Sequence, residues 1–352
     1  MYKTQFIPKP SHFFFGLFAI AFLLAGCSNQ PIKAPLANQP KAKEVHKTEL
    51  ATAYDYDLVN QQLQPISLKQ LITELKDTDI VFIGEFHGNH ASALLEMQVL
   101  AGLYQQSELQ NQNIVLSMEM FNRDQQEILN QYLDSEIGEV QLIKEAPAWN
   151  NYVASYRPLV EFAKQRFVPV VAANAAADIV RCVGREGQNY ISKLTPQEKS
   201  TIAKHPFAEI PGYKNKFASF LGEMRHLPEN RKNNSYSAQI TRDNTMAESI
   251  YQAWLNHPNL KVVHINGSFH SENHLGTVAA LHRLDPKLKI KVITPIRVES
   301  TADISRFNKQ TANAKDDYLY FIKPQPEQYV DAAYKMRDRR AMFKRSDLKS
   351  CK

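Results

Sequence analysis

The chain has 352 residues, 42 lysines and arginines against 36 acids for a formal net charge of +6, and 43% hydrophobic residues. That balance excludes an intrinsically disordered or collagen-like chain, and three cysteines are too few for a small disulfide-built scaffold. The basic excess is dispersed through the body rather than gathered in a stripe, so no nucleic-acid partner is expected.

Lys3 and Lys9 precede an apolar run from Phe13 to Leu24. The run is long enough for a secretory h-region but short for a bilayer-spanning helix. It ends in Leu24-Ala25-Gly26-Cys27, which resembles the lipobox of bacterial lipoproteins, so residues 1–26 read as a cleaved signal peptide and Cys27 as a lipid-attachment site. Ser28 follows where an Asp would retain the protein at the inner membrane, and an outer-membrane anchor is expected. Residues 27–60 are polar, contain Pro and Lys, and lack an apolar period; they read as a flexible tether. Cys182 and Cys351 remain as two thiols or one disulfide in an oxidising compartment, with Cys182 expected on a buried helix face.

From there, short Val/Ile-rich runs alternate with amphipathic stretches. Strands are predicted at 79–84, 113–120, 168–174, 260–267, 289–296 and 318–323. Helices are predicted at about 88–106, 122–134, 152–166, 176–186, 237–256 and 273–284. The strand runs are near-continuously apolar rather than alternating, as strands buried on both faces are. The expected fold is therefore α/β: a mostly parallel central sheet with helices on both faces. Residues 187–236 break the rhythm and read as a helical insertion covering the strand C-terminal ends, with a helix start at Thr195-Pro196-Gln197-Glu198. The main domain is placed at 61–300 and a C-terminal extension at 301–352, whose basic tail from Lys335 reads as a solvated helix.

Two of the predicted strands run into Gly-x-x-His. Gly84-Glu85-Phe86-His87 follows the first, and Gly267-Ser268-Phe269-His270 follows the fourth. His90 and His274 come a turn later, and the second strand ends in Glu119 with Arg123 close behind. In an open α/β sheet, ligands bind outside the carboxyl ends of the strands, so Glu85, His87, Glu119, Arg123, His270, His90 and His274 form one candidate pocket. A strand-end histidine is ordinarily a hydrogen-bonded structural residue; two such units with carboxylates at equivalent points favour function. His264, mid-strand, and His282, on a helix, are expected to be structural.

An ordered set of segments resembles the ChaN-like proteins of the Tiki superfamily, relatives of erythromycin esterase and TraB. The set runs Gly84-Glu85-Phe86-His87, Met118-Glu119-Met120-Phe121, Tyr156-Arg157-Pro158-Leu159, Arg225-His226-Leu227-Pro228-Glu229, Arg242-Asp243 with Met246-Ala247, and Gly267-Ser268-Phe269-His270. The resemblance covers roughly residues 65–300. It departs from the family at Phe86, Ser268 and Phe269, and it does not reach the extension. It implies haem held by a Tyr on iron with a His from a second subunit, in a protein of iron or haem uptake. Tyr156 and His226 are the candidate ligand pair, with Tyr152 and His205 in reserve; Arg157 or Arg225 would pair with a propionate. A homodimer formed on haem binding and an outer-membrane haem receptor or transporter are the implied partners. The alternative reading is a metal-dependent hydrolase or peptidase, with Zn or Mn held by His87, His270, Glu85 and Glu119. An anchored protein with an idle pocket is a third. The sequence has no HExxH motif and no GxSxG elbow.

Overall fold

A computed structural model describes residues 50–147, 149–224, 228–256, 259–299, 316–347 and 350–352. The signal peptide, Cys27, most of the tether, Arg225 and His226 lie outside these residues. Among the described residues, no helix is long and apolar enough to cross a membrane.

Seven strands form one sheet: β1 (Tyr56–Asn60), β2 (Ile80–Glu85), β3 (Asn113–Asn122), β4 (Val170–Asn174), β5 (Leu260–Gly267), β6 (Ile290–Arg297) and β7 (Tyr318–Ile322). Their order across the sheet is β1-β7-β6-β2-β5-β3-β4. All neighbours are parallel except β1, which pairs antiparallel with β7. The six apolar runs all become strands, and the mostly parallel α/β sheet is observed. Every residue of β2 and β5 is buried, which is why their sequences do not alternate. Alternation survives in where the side chains go. Val81 and Ile83 of β2 enter one core with Leu95, Val99, Leu159 and Ile265, while Ile80 and Phe82 enter the opposite core with Ile240, Ile250, Val262 and Leu281.

The first core is covered by α1 (Leu68–Glu74), α2 (His90–Gln110), α3 (Gln126–Leu133), α4 (Glu139–Glu145) and α5 (Arg157–Gln165). Of the remaining helices, α6 (Ala177–Glu186), α7 (Pro196–Ser200), α8 (Tyr213–Phe220), α9 (Glu229–Leu255), α10 (Thr277–Leu284) and α11 (Ala332–Asp347), the second core takes α8, α9 and α10. Local signals set several starts. Asn89 caps α2 by accepting from the amides of Ala91 and Ser92, and Thr195 with Glu198 forms a capping box on α7. Buried Lys261 donates to the carbonyls of Leu75, Lys76 and Thr78, where α1 ends.

Two boundaries differ from the sequence reading. The stretch read as the end of the tether supplies β1, because an edge strand needs only one apolar face: Val59 packs with Leu50, Val298, Leu319 and Phe321. The C-terminal extension is also part of the body. It contributes β7, and its Lys323 carbonyl and Gln325 amide brace Asn89 and the His87 backbone. Cys182, buried on α6, forms a disulfide with Cys351. The described part of 187–236 carries α7, α8 and the start of α9, with turns and irregular chain over 201–212, and Lys216 on α8 donates to the carbonyl of Phe269, beyond the C-terminal end of β5.

Candidate functional site

The parallel register places Gly84 opposite Asn266 and Glu85 opposite Gly267, so both Gly-x-x-His turns leave the sheet side by side. His87 donates from Nδ1 to Glu85 Oε1 at 2.5 Å, and the Tyr156 hydroxyl donates to the same oxygen at 2.6 Å. His270 lies between two carboxylates, with Nδ1 2.8 Å from Asp243 Oδ1 and Nε2 3.4 Å from Glu119 Oε1. Glu119 Oε2 accepts the Gly267 amide at 2.7 Å. A Cβ on Gly267 would stand 2.7 Å from His87 Nε2 and 3.6 Å from Glu119 Oε2. A larger residue at this position would have to push the His87 ring aside, and imidazoles 87 and 270 flank the same carboxylate.

Electrostatics follow from this packing. Burial disfavours charge on His270, but Glu119 and Asp243 outweigh it and push its pKa up to about 10. Burial likewise opposes charge on Glu119, yet His270, His87 and the Gly267 amide hold its carboxyl well below the usual range. His87 is pushed upward, since the Glu85 hydrogen bond and the nearby Glu119 outweigh desolvation. Behind Glu85, burial and the neighbouring Glu85 push the pKa of the fully buried Glu96 carboxyl on α2 well above its ordinary value. Thr277 adds a hydroxyl bond to Asp243 Oδ1.

Of the sequence-selected residues, Glu85, His87, Glu119, His270 and Tyr156 come together. The others do not. Arg123 turns away and ties β3 to α9, bonding Glu248, Ser249 and the carbonyls of Ile202 and Thr245. His90 is exposed at the start of α2 and stacks on Tyr54. His274 bonds Asp317 and fastens the extension. Arg157 is held by Glu139 in a two-point ion pair. Tyr152 is buried, and Tyr156 is fully buried with its hydroxyl spent on Glu85; burial raises both phenols. The helical face that the two tyrosines share is packed in the first core. Among the described residues no group of three or more His, Cys, Asp and Glu side chains is arranged to hold a metal ion, so the Zn or Mn alternative finds no ligand set here. His264 is buried at the Ser117 hydroxyl, and burial drives its pKa down to about 3.

Asp243 and Glu96 belong to the site and were not among the candidate site residues, although Arg242-Asp243 stood in the ordered set that carries the resemblance. Glu96 did leave a signal: it is an acid inside the otherwise apolar turn Leu94-Leu95-Glu96-Met97. Asp243 lies on α9, where nothing in a solvated-looking helix sequence shows which residues face the sheet.

A second hollow lies on the insertion side. It is a cavity of about 580 Å³ between α8 and α9, lined by Phe217, Leu221 and Tyr236, with Lys214 and Lys232 at its edge. Phe269, which neighbours His270 in the sequence, packs against Phe217 and Tyr213 beneath it. A larger hollow of about 680 Å³ lies at the opposite, amino-terminal ends of β3 and β5, lined by Tyr104, Asn113, Phe167 and Leu260, and gathers no imidazoles.

The family described as haem-binding uptake, Tiki superfamily, ChaN matches residues 71–281, more than half of the sequence and both Gly-x-x-His turns. The chain belongs to this family. The solved structure of cofacial haem binding to ChaN of Campylobacter jejuni shares the fold, with a TM-score of 0.55 and 18% identity over 77% of this chain and 98% of that one. An erythromycin esterase mutant, EreC in its open conformation, is more distant, at a TM-score of 0.37 and 13% identity over 68% of this chain and 77% of that one. Protein RETICULATA-RELATED 5, a chloroplastic protein of Arabidopsis thaliana, is 23% identical over 233 residues. This chain spans only 30% of that relative's length, and the match takes in 59% of this chain. Within the ChaN family, the polar cluster at the strand ends and the apolar groove on the insertion are the two places where chemistry concentrates in this chain.

Proposed function

We propose that this ChaN-family member is a membrane-anchored, haem-binding lipoprotein of iron or haem uptake. Membership of a haem-binding family over residues 71–281 carries the reading. The groove between α8 and α9 fits the ligand in kind: aromatic and aliphatic walls for a flat apolar macrocycle, one phenol, and two ammonium groups at the edge for propionates. The cluster around His270 fits it less well, since the carboxyls of Glu85, Glu119 and Asp243 and the imidazoles of His87 and His270 give it a mainly polar lining. Tyr236, itself buried and with its hydroxyl 3.5 Å from Glu209 Oε1 but lining the groove, is the phenol we assign to iron in place of Tyr156; bound haem would supply a ferric centre for which tyrosinate is a suited anionic donor. His226, shortly after Gly222 in the sequence, is the histidine we assign to the second subunit's contact. A groove open on one side leaves part of a macrocycle uncovered, which favours a homodimer formed on haem binding. Anchoring at Cys27 in the outer membrane would place the protein beside a haem receptor or transporter.

The test is haemin titration of the full-length chain in detergent, followed by visible absorption and by size. A shifted Soret band should appear, with dimer formation, and Tyr236→Phe should weaken binding by about tenfold or more while Tyr156→Phe leaves it intact. The opposite pattern in the two variants would return the ligand to the strand-end pocket. No Soret change in the parent would end the haem reading.

A further inference from the structure

The last helix, α11, is held in place without being buried. From Ala332 to Ala341 every side chain is exposed except that of Asp338, which is half-buried, and none of these residues joins a hydrophobic core. Most helical stability in proteins comes from a packed face, and over this stretch α11 has none among the described residues. Its flanks, by contrast, are fastened. Upstream, the Lys323 carbonyl accepts from Asn89 and the Gln325 amide donates to the His87 carbonyl. Downstream, Cys351 is joined to Cys182 of α6, the Lys352 carbonyl accepts from Lys193, and the Lys352 ammonium pairs with Glu198. Ordering a segment costs conformational entropy, which packing does not return here. A helix strung uncovered between two fastened points presents its side chains to something outside the chain.

Those side chains are of two kinds. Lys335, Arg337, Arg339 and Arg340 are exposed cations, and Lys344 and Arg345 follow in the sequence. Asp331 is spent on the Ala333 amide at the helix start, and Asp338 pairs with Arg337. Lys335, Arg339 and Arg340 form no ion pair with a described residue. Between the cations, Tyr334 and Met336 are each 54% exposed, with the Arg337 guanidinium over the Tyr334 ring; Tyr329 and Val330 stand exposed just before the helix. Cations interleaved with aromatic and aliphatic side chains complement an anionic lipid surface, where the charges meet phosphate and the apolar groups reach the acyl boundary.

Chain connectivity favours a bilayer over an acidic protein as the occupant. The N-terminal sequence that carries Cys27 joins the body at Leu50 and Ala51. Leu50 packs with Leu319 and Phe321 of β7, and Lys323 Nζ donates to the Ala51 carbonyl at 3.0 Å. The segment bearing the lipid-attachment site therefore enters the body beside the strand that leads out to α11.

We propose that α11, with the exposed stretch before it, is a docking surface for the anionic lipid leaflet that holds the anchor, and that it sets how the body faces the membrane. This rests on the membrane anchoring in the reading above and is independent of haem.

The test reconstitutes the full-length chain in vesicles of phosphatidylcholine alone and of phosphatidylcholine mixed with phosphatidylglycerol, with the chain in neutral detergent as reference. Amide hydrogen exchange of peptides covering 325–341 is followed by mass spectrometry. With phosphatidylglycerol present, exchange over α11 should slow by about tenfold or more, and high salt should remove most of that difference. The combined variant Lys335→Gln, Arg337→Gln, Arg339→Gln and Arg340→Gln should lose the slowing. Should that variant lose its native circular dichroism, the salt dependence of the parent decides. The proposal is overturned if exchange over α11 is the same in both vesicles, if the slowing survives high salt, or if the folded variant is slowed as the parent is. Slowing by soluble polyglutamate but not by phosphatidylglycerol would overturn it in favour of an acidic protein partner. Anchoring is judged separately, by sedimentation with the phosphatidylcholine vesicles; if it fails, exchange with phosphatidylglycerol against detergent still decides the docking.

Discussion

The strand-end pocket and the groove between α8 and α9 are near neighbours, joined through Phe269, Tyr213 and Gln239, yet they are held together by different physics. In the pocket, Glu119, His270 and Asp243 form an alternating buried chain of charges whose stability depends on each keeping its partner. At the groove, Phe217 packs on Tyr236 and on Phe220, which stays largely exposed, and the contacts are mainly between rings. The comparison teaches that one fold can set a buried, closely bonded polar centre beside a partly exposed aromatic surface. A pocket of the first kind positions atoms; a groove of the second kind offers area.

The largest effect expected to sharpen that contrast is from Glu119→Gln. Breaking a buried charge pair while leaving the other charge in place costs about 3–5 kcal/mol. Chemical denaturation should show this loss, and the His270 pKa should fall in an NMR titration. If the variant is as stable as the parent, the charged chain is not what holds the pocket. A smaller effect is expected from pH. His270 is raised from its ordinary value near 6.5 to about 10, so its contribution is complete below the lower value and is lost as pH climbs through the higher one. The midpoint of thermal unfolding should therefore decline between about pH 6.5 and 10, and Asp243→Asn should flatten that decline. The smallest effect belongs to the groove. Lys232→Gln removes an edge charge that solvent already screens, and haemin affinity should drop only severalfold, by about 1 kcal/mol or less, with little change in thermal stability.

The sheet was largely legible because burial on both faces leaves uninterrupted Val/Ile runs, and that pattern depends on no tertiary detail. β1 was not, because Tyr-Asp-Leu-Val-Asn carries only the apolar content that an edge strand requires. The strand-end turns were legible for a related reason: glycine followed by histidine just after an apolar run is conspicuous in a chain with 12 glycines. What escaped was the helical side of the site. Arg123 is equally plausible in sequence as a pocket residue or a structural one, and only its bonds to Glu248 and Ser249 of α9 show that it ties that helix to β3. Tyr152 and Tyr156 shared a helical face as expected, but nothing in their spacing reveals that this face is turned to the core.

The disulfide between Cys182 and Cys351 spans 169 residues of sequence. A protease reaching the exposed stretch from Gln325 to Val330 would therefore sever the backbone without separating the pieces. The severed piece carrying α11 would stay fastened to α6 under oxidising conditions and leave only when the sulfurs were reduced, so a clipped molecule would migrate as two bands only in the presence of a thiol.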